Sequence, residues 1–329
     1  MRIGILGQPC IDEIIQLDAS GAPTGPPRPA LGGILYSYVG LERLLREEGS
    51  PSDRIVPLTW HSRGDAPRLA PLLAACSHLE IGHGLWSTDA LTNRVQLVYA
   101  ADGSRVEHCP TILPPVTLEQ LTSELIASLD GLFVNMISGY DIALETLEAA
   151  LARAPRRPFV HVDVHALVLG ELSVAESASE NGTAGRHGAG RKPRGVNDWR
   201  RWLDVADSVQ LNELEAAWFA HPDCRSEASL LHALESDRER RRLRYLTVTR
   251  GPNGATLYDL RHQEVHHVQA PAATVRDTTG AGDVFGAHLL RSLVAGIVPA
   301  DALEAAVRFA TWCTTLTTIE EILTAPRTL

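Results

Sequence analysis

No apolar run in the 329 residues approaches the roughly 18–20 that a bilayer-spanning helix needs. Nor is there a basic excess. Thirty Lys and Arg stand against 40 Asp and Glu, for a net charge of −10, which argues against a nucleic-acid backbone as partner. An anionic substrate would then need a locally positive pocket. CxxC is missing, and the five cysteines (Cys10, Cys76, Cys109, Cys224, Cys313) are scattered and odd in number. That excludes a zinc ribbon and a disulfide framework as readings and points to a reduced, cytoplasmic setting. No GxGxxG follows the first strand, where Gly4-Ile5-Leu6-Gly7-Gln8-Pro9 has the wrong spacing for a nicotinamide enzyme. HExxH is absent too; His161 and His165 straddle a strand, and His266-His267 are adjacent, so no two imidazoles share a metal-binding spacing. Arg2–Gly7 is too short for a signal segment, with Asp12-Glu13 close behind. No repeat of fixed period is found.

What is present is a chain with 44% apolar residues, long enough for one large α/β domain or two ordinary ones. Short apolar runs at Ile3–Leu6, Arg54–Leu58, Leu132–Asn135, Phe159–Val164, Ser208–Leu211 and Tyr245–Thr249 predict strands. Helical patterns lie between them at Gly40–Glu48, Leu118–Leu129, Ile142–Ala154 and Glu227–Glu235. The alternation argues for a mainly parallel sheet covered on both faces, with ligands at the carboxyl ends of its strands.

Two stretches interrupt it. One is the proline-rich Ala22–Pro29; the other is the pair Arg94–Ala100 and Arg105–His108 around Ala101-Asp102-Gly103-Ser104, a hairpin signal. They could build a small β flap over the strand ends. Glu176–Asn197 is polar and rich in Gly, Ser and Arg, which predicts a mobile loop. Asp301–Leu323 reads as one long packed helix.

The stretch with most chemical content is Asp277-Thr278-Thr279-Gly280-Ala281-Gly282-Asp283, opening onto a helical run. Unpaired N–H groups of Gly280, Ala281 and Gly282 at a helix start can converge on an anion. Asp283 in the first turn is expected to stay ionised as a base. Donors beside a base suggest transfer of an anionic group, most simply phosphoryl. Asn212-Glu213-Leu214-Glu215 follows a strand and is either a helix capping box or an Asn and carboxylate holding Mg²⁺-bound water near phosphates. Thr249-Arg250-Gly251-Pro252-Asn253-Gly254 is either a hairpin turn or a nucleotide-side loop whose Arg250 reaches phosphate. Asp12, past the first strand, and the Gly32-Gly33 pair could grip adjacent hydroxyls of a polyol.

Together these features resemble the ribokinase (PfkB) family of carbohydrate and nucleoside kinases, with the motifs in family order from Asp12 to Asp283. The resemblance implies a single α/β domain over 1–329: a ribokinase-like three-layer αβα sandwich, mainly parallel, with a small β lid from about 12–32 and 92–110. It implies an ATP- and Mg²⁺-dependent kinase acting on a hydroxyl of a sugar, polyol or nucleoside. Asp283 resembles the base, and Gly280, Ala281 and Gly282 the anion hole. Asp277 resembles a ligand of a monovalent cation such as K⁺, and Asn212 with Glu215 the element organising Mg²⁺ and phosphates. Thr249, Arg250, Gly251 and Gly254 look like the nucleotide loop; Asp12, Gly32, Gly33 and Ser37 look like the acceptor site. The departures lie on the acceptor side. Ser37 stands where the family usually has Asn, Tyr36 and Tyr38 are bulky where small residues are usual, and Val164-His165-Ala166 lacks the familiar Pro-Asn. They motivate a second reading, a nucleotide- or sugar-binding regulator on the same scaffold. The lid sheet is also read as a homodimer contact, since an uncovered edge invites pairing.

Overall fold

A computed structural model of the chain describes residues 1–101, 105–170, 191–235 and 242–327. β1 (Arg2–Leu6), β2 (Pro9–Gln16) and β3 (Arg28–Gly33) precede α1 (Leu35–Glu48). Then come β4 (Arg54–Ser62), α2 (Ala66–Ala75), β5 (Leu85–Thr88), β6 (Asn93–Tyr99) and β7 (Arg105–Thr111). α3 (Ser123–Ala127), β8 (Gly131–Asn135), α4 (Leu144–Arg153) and β9 (Phe159–Asp163) follow. The second half holds α5 (Trp199–Asp204), β10 (Ser208–Asn212), α6 (Glu213–Trp218), α7 (Glu227–Glu235) and the strands β11 (Tyr245–Thr249), β12 (Ala255–Asp259) and β13 (Glu264–Val268). It closes with α8 (Ala281–Val294), α9 (Pro299–Cys313) and α10 (Glu321–Thr324).

Among the described residues, nine strands form one sheet in the order β13-β12-β11-β10-β9-β8-β1-β4-β5. All neighbours from β5 to β11 are parallel, and β12 and β13 extend the edge antiparallel. The six strands expected from sequence are all here. Central strands such as β8, buried along its whole length, are apolar on both sides because helices cover both faces. On one face α1, α2, α8, α9 and α10 pack over Ile3, Ile5 and Phe133; on the other, α3 to α7 pack over Leu132, Val134, Val160 and Val162. This is a three-layer α/β sandwich. A second sheet, ordered β3-β2-β6-β7, pairs β2 with β6 in parallel and is otherwise antiparallel. No helix among the described residues is long and apolar enough to cross a membrane.

Three expectations change. The C-terminal helix predicted over Asp301–Leu323 breaks after Cys313. The Thr314 and Thr315 hydroxyls donate to the Thr311 and Trp312 carbonyls of the last turn, and the Thr314 carbonyl accepts from Arg276 N–H (2.8 Å) and Asp277 N–H (3.2 Å), so α9 ends by tethering the Asp277 loop. The helix predicted over Leu118–Leu129 is confined to Ser123–Ala127, because Thr122 caps it by accepting from Leu125 N–H. Of the loop predicted to be mobile over 176–197, residues 176–190 lie outside the described residues, as do hairpin-turn residues 102–104. Arg191, in its described part, is held. Its side chain is 3% exposed and the guanidinium donates to the Ser138 carbonyl at 2.9 Å, with Glu107 at 3.6 Å.

α1 carries Tyr36 and Ser37 and is pinned by Glu42, which is fully buried. Glu42 accepts from Ser77 N–H, Ser77 Oγ and His78 N–H, each at 2.9 Å, and from Arg46 Nε at 2.7 Å. Burial pushes its carboxyl up, but these donors outweigh it and hold it below the usual range. The stabilisation is present above the unfolded-state value and lost as pH falls through the lower folded one. Glu42→Ala, which strands these donors, should lower the unfolding free energy by about 3–5 kcal/mol in urea titrations near neutral pH. The loss should shrink towards acid pH; a loss under about 1 kcal/mol would contradict this account.

Candidate active site

In a parallel sheet the strand register decides which polar residues meet. Asn135 on β8 pairs with Asp163 on β9, and Asp163 pairs with Gln210 on β10, so three polar side chains stand in a row near the carboxyl ends of otherwise apolar strands. α8 starts above this row. Gln210 Nε2 donates to Asp163 Oδ2 at 2.9 Å and to the Gly282 carbonyl at 3.1 Å, joining the sheet to the first turn of α8. Asn135 Nδ2 donates to Asp283 Oδ1 at 2.6 Å.

The helix start has the conformation that the glycine turn suggested. Gly280 sits at the N-cap with φ +74°, in the left-handed region. Of the three proposed anion-hole amides, Ala281 N–H is already engaged by the Thr278 carbonyl at 3.2 Å, whereas no protein acceptor is recorded for Gly280 N–H and Gly282 N–H among the described residues. Asp277 accepts from Thr279 N–H at 2.8 Å and so closes this turn. The expectation that Asp283 is simply held ionised by the helix end is modified. Burial pushes its carboxyl above the usual range, and Asn135 and His165 oppose the shift.

Asn212 and Glu215 form a complete capping box at the start of α6. Glu215 is 6% exposed; its Oε2 accepts from Asn212 N–H and its Oε1 from Asn212 Nδ2, both at 2.7 Å. His165 Nδ1 lies 3.5 Å from Oε1. Burial alone would lower His165, but Glu215 and Asp163 reverse this and hold the imidazole above the usual range. Asp163 is pushed well up by burial, then by the Glu215 charge. His161, beneath them, is pushed down to about 4 by burial and bonded to Ser208 Oγ at 2.9 Å.

On the neighbouring strand end, Thr249 pairs with Asn212, and Gly251–Asn253 form a 3₁₀ turn closed at Gly254 before β12. The hairpin geometry is thus present. Arg250 is not free to reach a phosphate as expected: it lies 2.6 Å from Glu227 and 3.4 Å from Glu213, with Nε donating to Thr256 Oγ1 at 3.2 Å. Two carboxylates within reach capture the guanidinium.

Of the residues read as an acceptor site, Asp12 of β2 is 5% exposed and lies over Gly32, where a Cβ would fall 2.2 Å from its carboxylate and force it to shift. Gly33 ends β3 beside Gln8. Ser37, expected to meet an acceptor hydroxyl, is fully buried; it receives Asn135 Nδ2 and donates to the Asp283 carbonyl, each at 3.4 Å. It supports Asp283 rather than lining a pocket. Tyr36 lines one instead, a cavity of about 310 Å³ shared with Asp277, Glu320, Arg28 and Arg68. Its phenol is pushed up by burial and then by Asp277, Asp12, Asp283 and Glu320. The ring lies against Gly280, where a Cβ would meet it at 2.1 Å.

Sequence reasoning passed over Asn135, Asp163, Gln210 and His165 as functional candidates. The available signal was a polar residue interrupting or ending an apolar parallel strand, as in Gly131–Asn135 and Phe159–Asp163.

Residues 173–324 match the family model described as pfkB family carbohydrate kinase. The fructokinase of Salmonella thompson is 38% identical over 120 residues, 36% of this chain and 51% of that protein, so the match spans about half of that relative's length. The Arabidopsis thaliana ribokinase structure, complexed with ribose and ATP, superposes with a TM-score of 0.67 at 14% identity, covering 98% of this chain and 99% of that one. The Burkholderia thailandensis nucleoside kinase in complex with inosine gives 0.66 at 17% identity, covering 98% and 94%. The fold is ribokinase-like.

If the Tyr36 ring packs on Gly280, the two positions must be energetically coupled. In a double-mutant cycle by urea unfolding, Gly280→Ala should cost about 2 kcal/mol or more, and its combination with Tyr36→Ala should show a coupling of about 1–2 kcal/mol. Additivity within about 0.3 kcal/mol would remove the contact.

Proposed function

We propose, from the match of residues 173–324 to the pfkB family of carbohydrate kinases, that the chain is a phosphotransferase that moves the γ-phosphoryl of ATP to a hydroxyl of a small sugar, polyol or nucleoside. One observation carries this reading: Asp283 stands in the first turn of α8 beside two N–H groups, Gly280 and Gly282, that have no protein acceptor among the described residues. Asp283 takes the proton of the acceptor hydroxyl as the oxygen attacks phosphorus. The two amides and the helix end neutralise charge building on the transferred group. Asp12 with Gly32 and Gly33 holds neighbouring hydroxyls, and the β2-β3-β6-β7 sheet acts as a lid that keeps water out.

Glu215 is the residue for Mg²⁺, acting through water. An ion there would be held mainly by phosphate oxygens and water. Bound there, Mg²⁺ would neutralise phosphate charge. Asp277, closing the glycine turn, is the residue for a monovalent cation. Asn212, Thr249, Gly251 and Gly254 form the nucleotide side. Arg250 joins them only by leaving Glu227. A homodimer through the lid remains part of the reading, and light scattering checks it. The open β3 edge carries Pro29, which opposes strand pairing there.

Tyr36 over Gly280 favours a second reading, a regulator that binds nucleotide or sugar without turnover. ADP release across sugars, polyols and nucleosides, run beside ligand-induced melting shifts, separates the two; binding without turnover on any acceptor would favour the regulator. With an active acceptor, Asp283→Ala should lower turnover by about 10²–10⁴-fold. Near-normal turnover in that variant would exclude Asp283 as the base.

A further inference from the structure

We propose that Asn135 positions Asp283, clamping one carboxylate oxygen and leaving the other to receive the proton. This rests on the phosphoryl-transfer reading for its purpose, though not for its geometry. Asn135 is the last residue of β8 and fully buried. Its Nδ2 is 2.6 Å from Asp283 Oδ1, the length of a strong charge-assisted bond, and Oδ2 accepts no protein hydrogen bond among the described residues. The same Nδ2 reaches Ser37 Oγ, and Ser37 Oγ reaches the Asp283 carbonyl, so side chain and backbone of Asp283 are held from β8 and α1 together.

A purely structural role does not account for the residue. The strand reads Gly-Leu-Phe-Val-Asn, and its other four members are apolar and buried. Asn135 Oδ1 is itself buried without a hydrogen-bond partner, a cost that an aliphatic side chain would avoid. The amide earns its place only through its donor end. An N–H donor there stabilises the carboxylate and not the neutral acid, whereas the flipped amide would set an oxygen against it.

The groups facing Asp283 are Tyr36 from α1, Asp163 from β9, His165 just after β9 and Glu215 from α6. Burial and the Glu215 charge favour its neutral form; Asn135 is the foremost opposing group and His165 the next. Asn135 is thus the foremost group favouring the carboxylate form of Asp283.

The test is direct titration by ¹³C NMR of full-length protein labelled at Asp carboxyls, with the Asp283 signal assigned by its loss in Asp283→Asn. No nucleotide or acceptor is added. Asn135→Ala should raise the Asp283 midpoint by about one pH unit, tenfold in proton affinity. Asn135→Leu, which keeps the volume and removes the donor without adding a charge, should raise it likewise. A role in packing alone predicts no shift in Asn135→Leu. Midpoints unmoved in both variants would overturn the clamp, even where turnover depends on Asp283. A raised midpoint with turnover indifferent to Asp283→Ala would exclude Asp283 as the base and leave the clamp standing. With an active acceptor, the acid limb of kcat should move by the same amount, with KM little changed.

Discussion

Three carboxylates crowd the carboxyl ends of β8, β9 and β10, and each is gripped by a side-chain amide. Asn135 holds Asp283 at 2.6 Å, Gln210 holds Asp163 at 2.9 Å and Asn212 holds Glu215 at 2.7 Å. Like charges in a partly desolvated space push one another towards protonation. Without amide donors the cheapest relief would be to neutralise one of them. The imidazole of His165, beside Glu215 and raised by Glu215 and Asp163, supplies a positive charge among them. Much of the architecture can be read as what brings these amides to the carboxylates: a parallel register that aligns Asn135, Asp163 and Gln210, and a glycine turn that lowers the start of α8 onto Gln210.

That dependence explains what could be read from residues alone. The strands were legible because double burial writes itself as short apolar runs, and Tyr245–Thr249 coincides with its strand end to end. The helix start at Gly280 was legible because a left-handed N-cap demands glycine. The capping box at Asn212–Glu215 was legible because it is local, three residues apart. Asn135 and Gln210 were not. Each acts through a partner 148 and 72 residues away, Asp283 and Gly282 respectively, and only strand register and helix placement bring them together.

The same logic accounts for two residues whose expected tasks changed. Arg250 was read as a phosphate ligand from its place in a glycine loop. Glu227, from a helix 23 residues earlier, takes the guanidinium first. Ser37 was read as an acceptor contact from its place after the glycine pair. A short side chain on a helix packed against α8 donates to the Asp283 carbonyl at 3.4 Å. In both cases a side chain's neighbours in sequence suggested a ligand, and its neighbours in space offered a protein partner that needs no ligand.

Tyr36 is where these constraints meet. Its ring lies on Gly280, its phenol lines the cavity beneath β3, and carboxylates from β2, the Asp277 loop and α8 all raise it. A phenolate is thereby opposed from every side, so the residue serves as an apolar plate with a neutral donor at its rim. Position 280 must then be glycine twice over, once for its backbone angle and once because the ring takes the volume of a Cβ. A small residue at position 36 would open that volume between Asp12 and Asp283; a tyrosine fills it. Any group that approaches Asp283 from that side must therefore share space with an aromatic ring carried by α1, which Glu42 anchors near its middle.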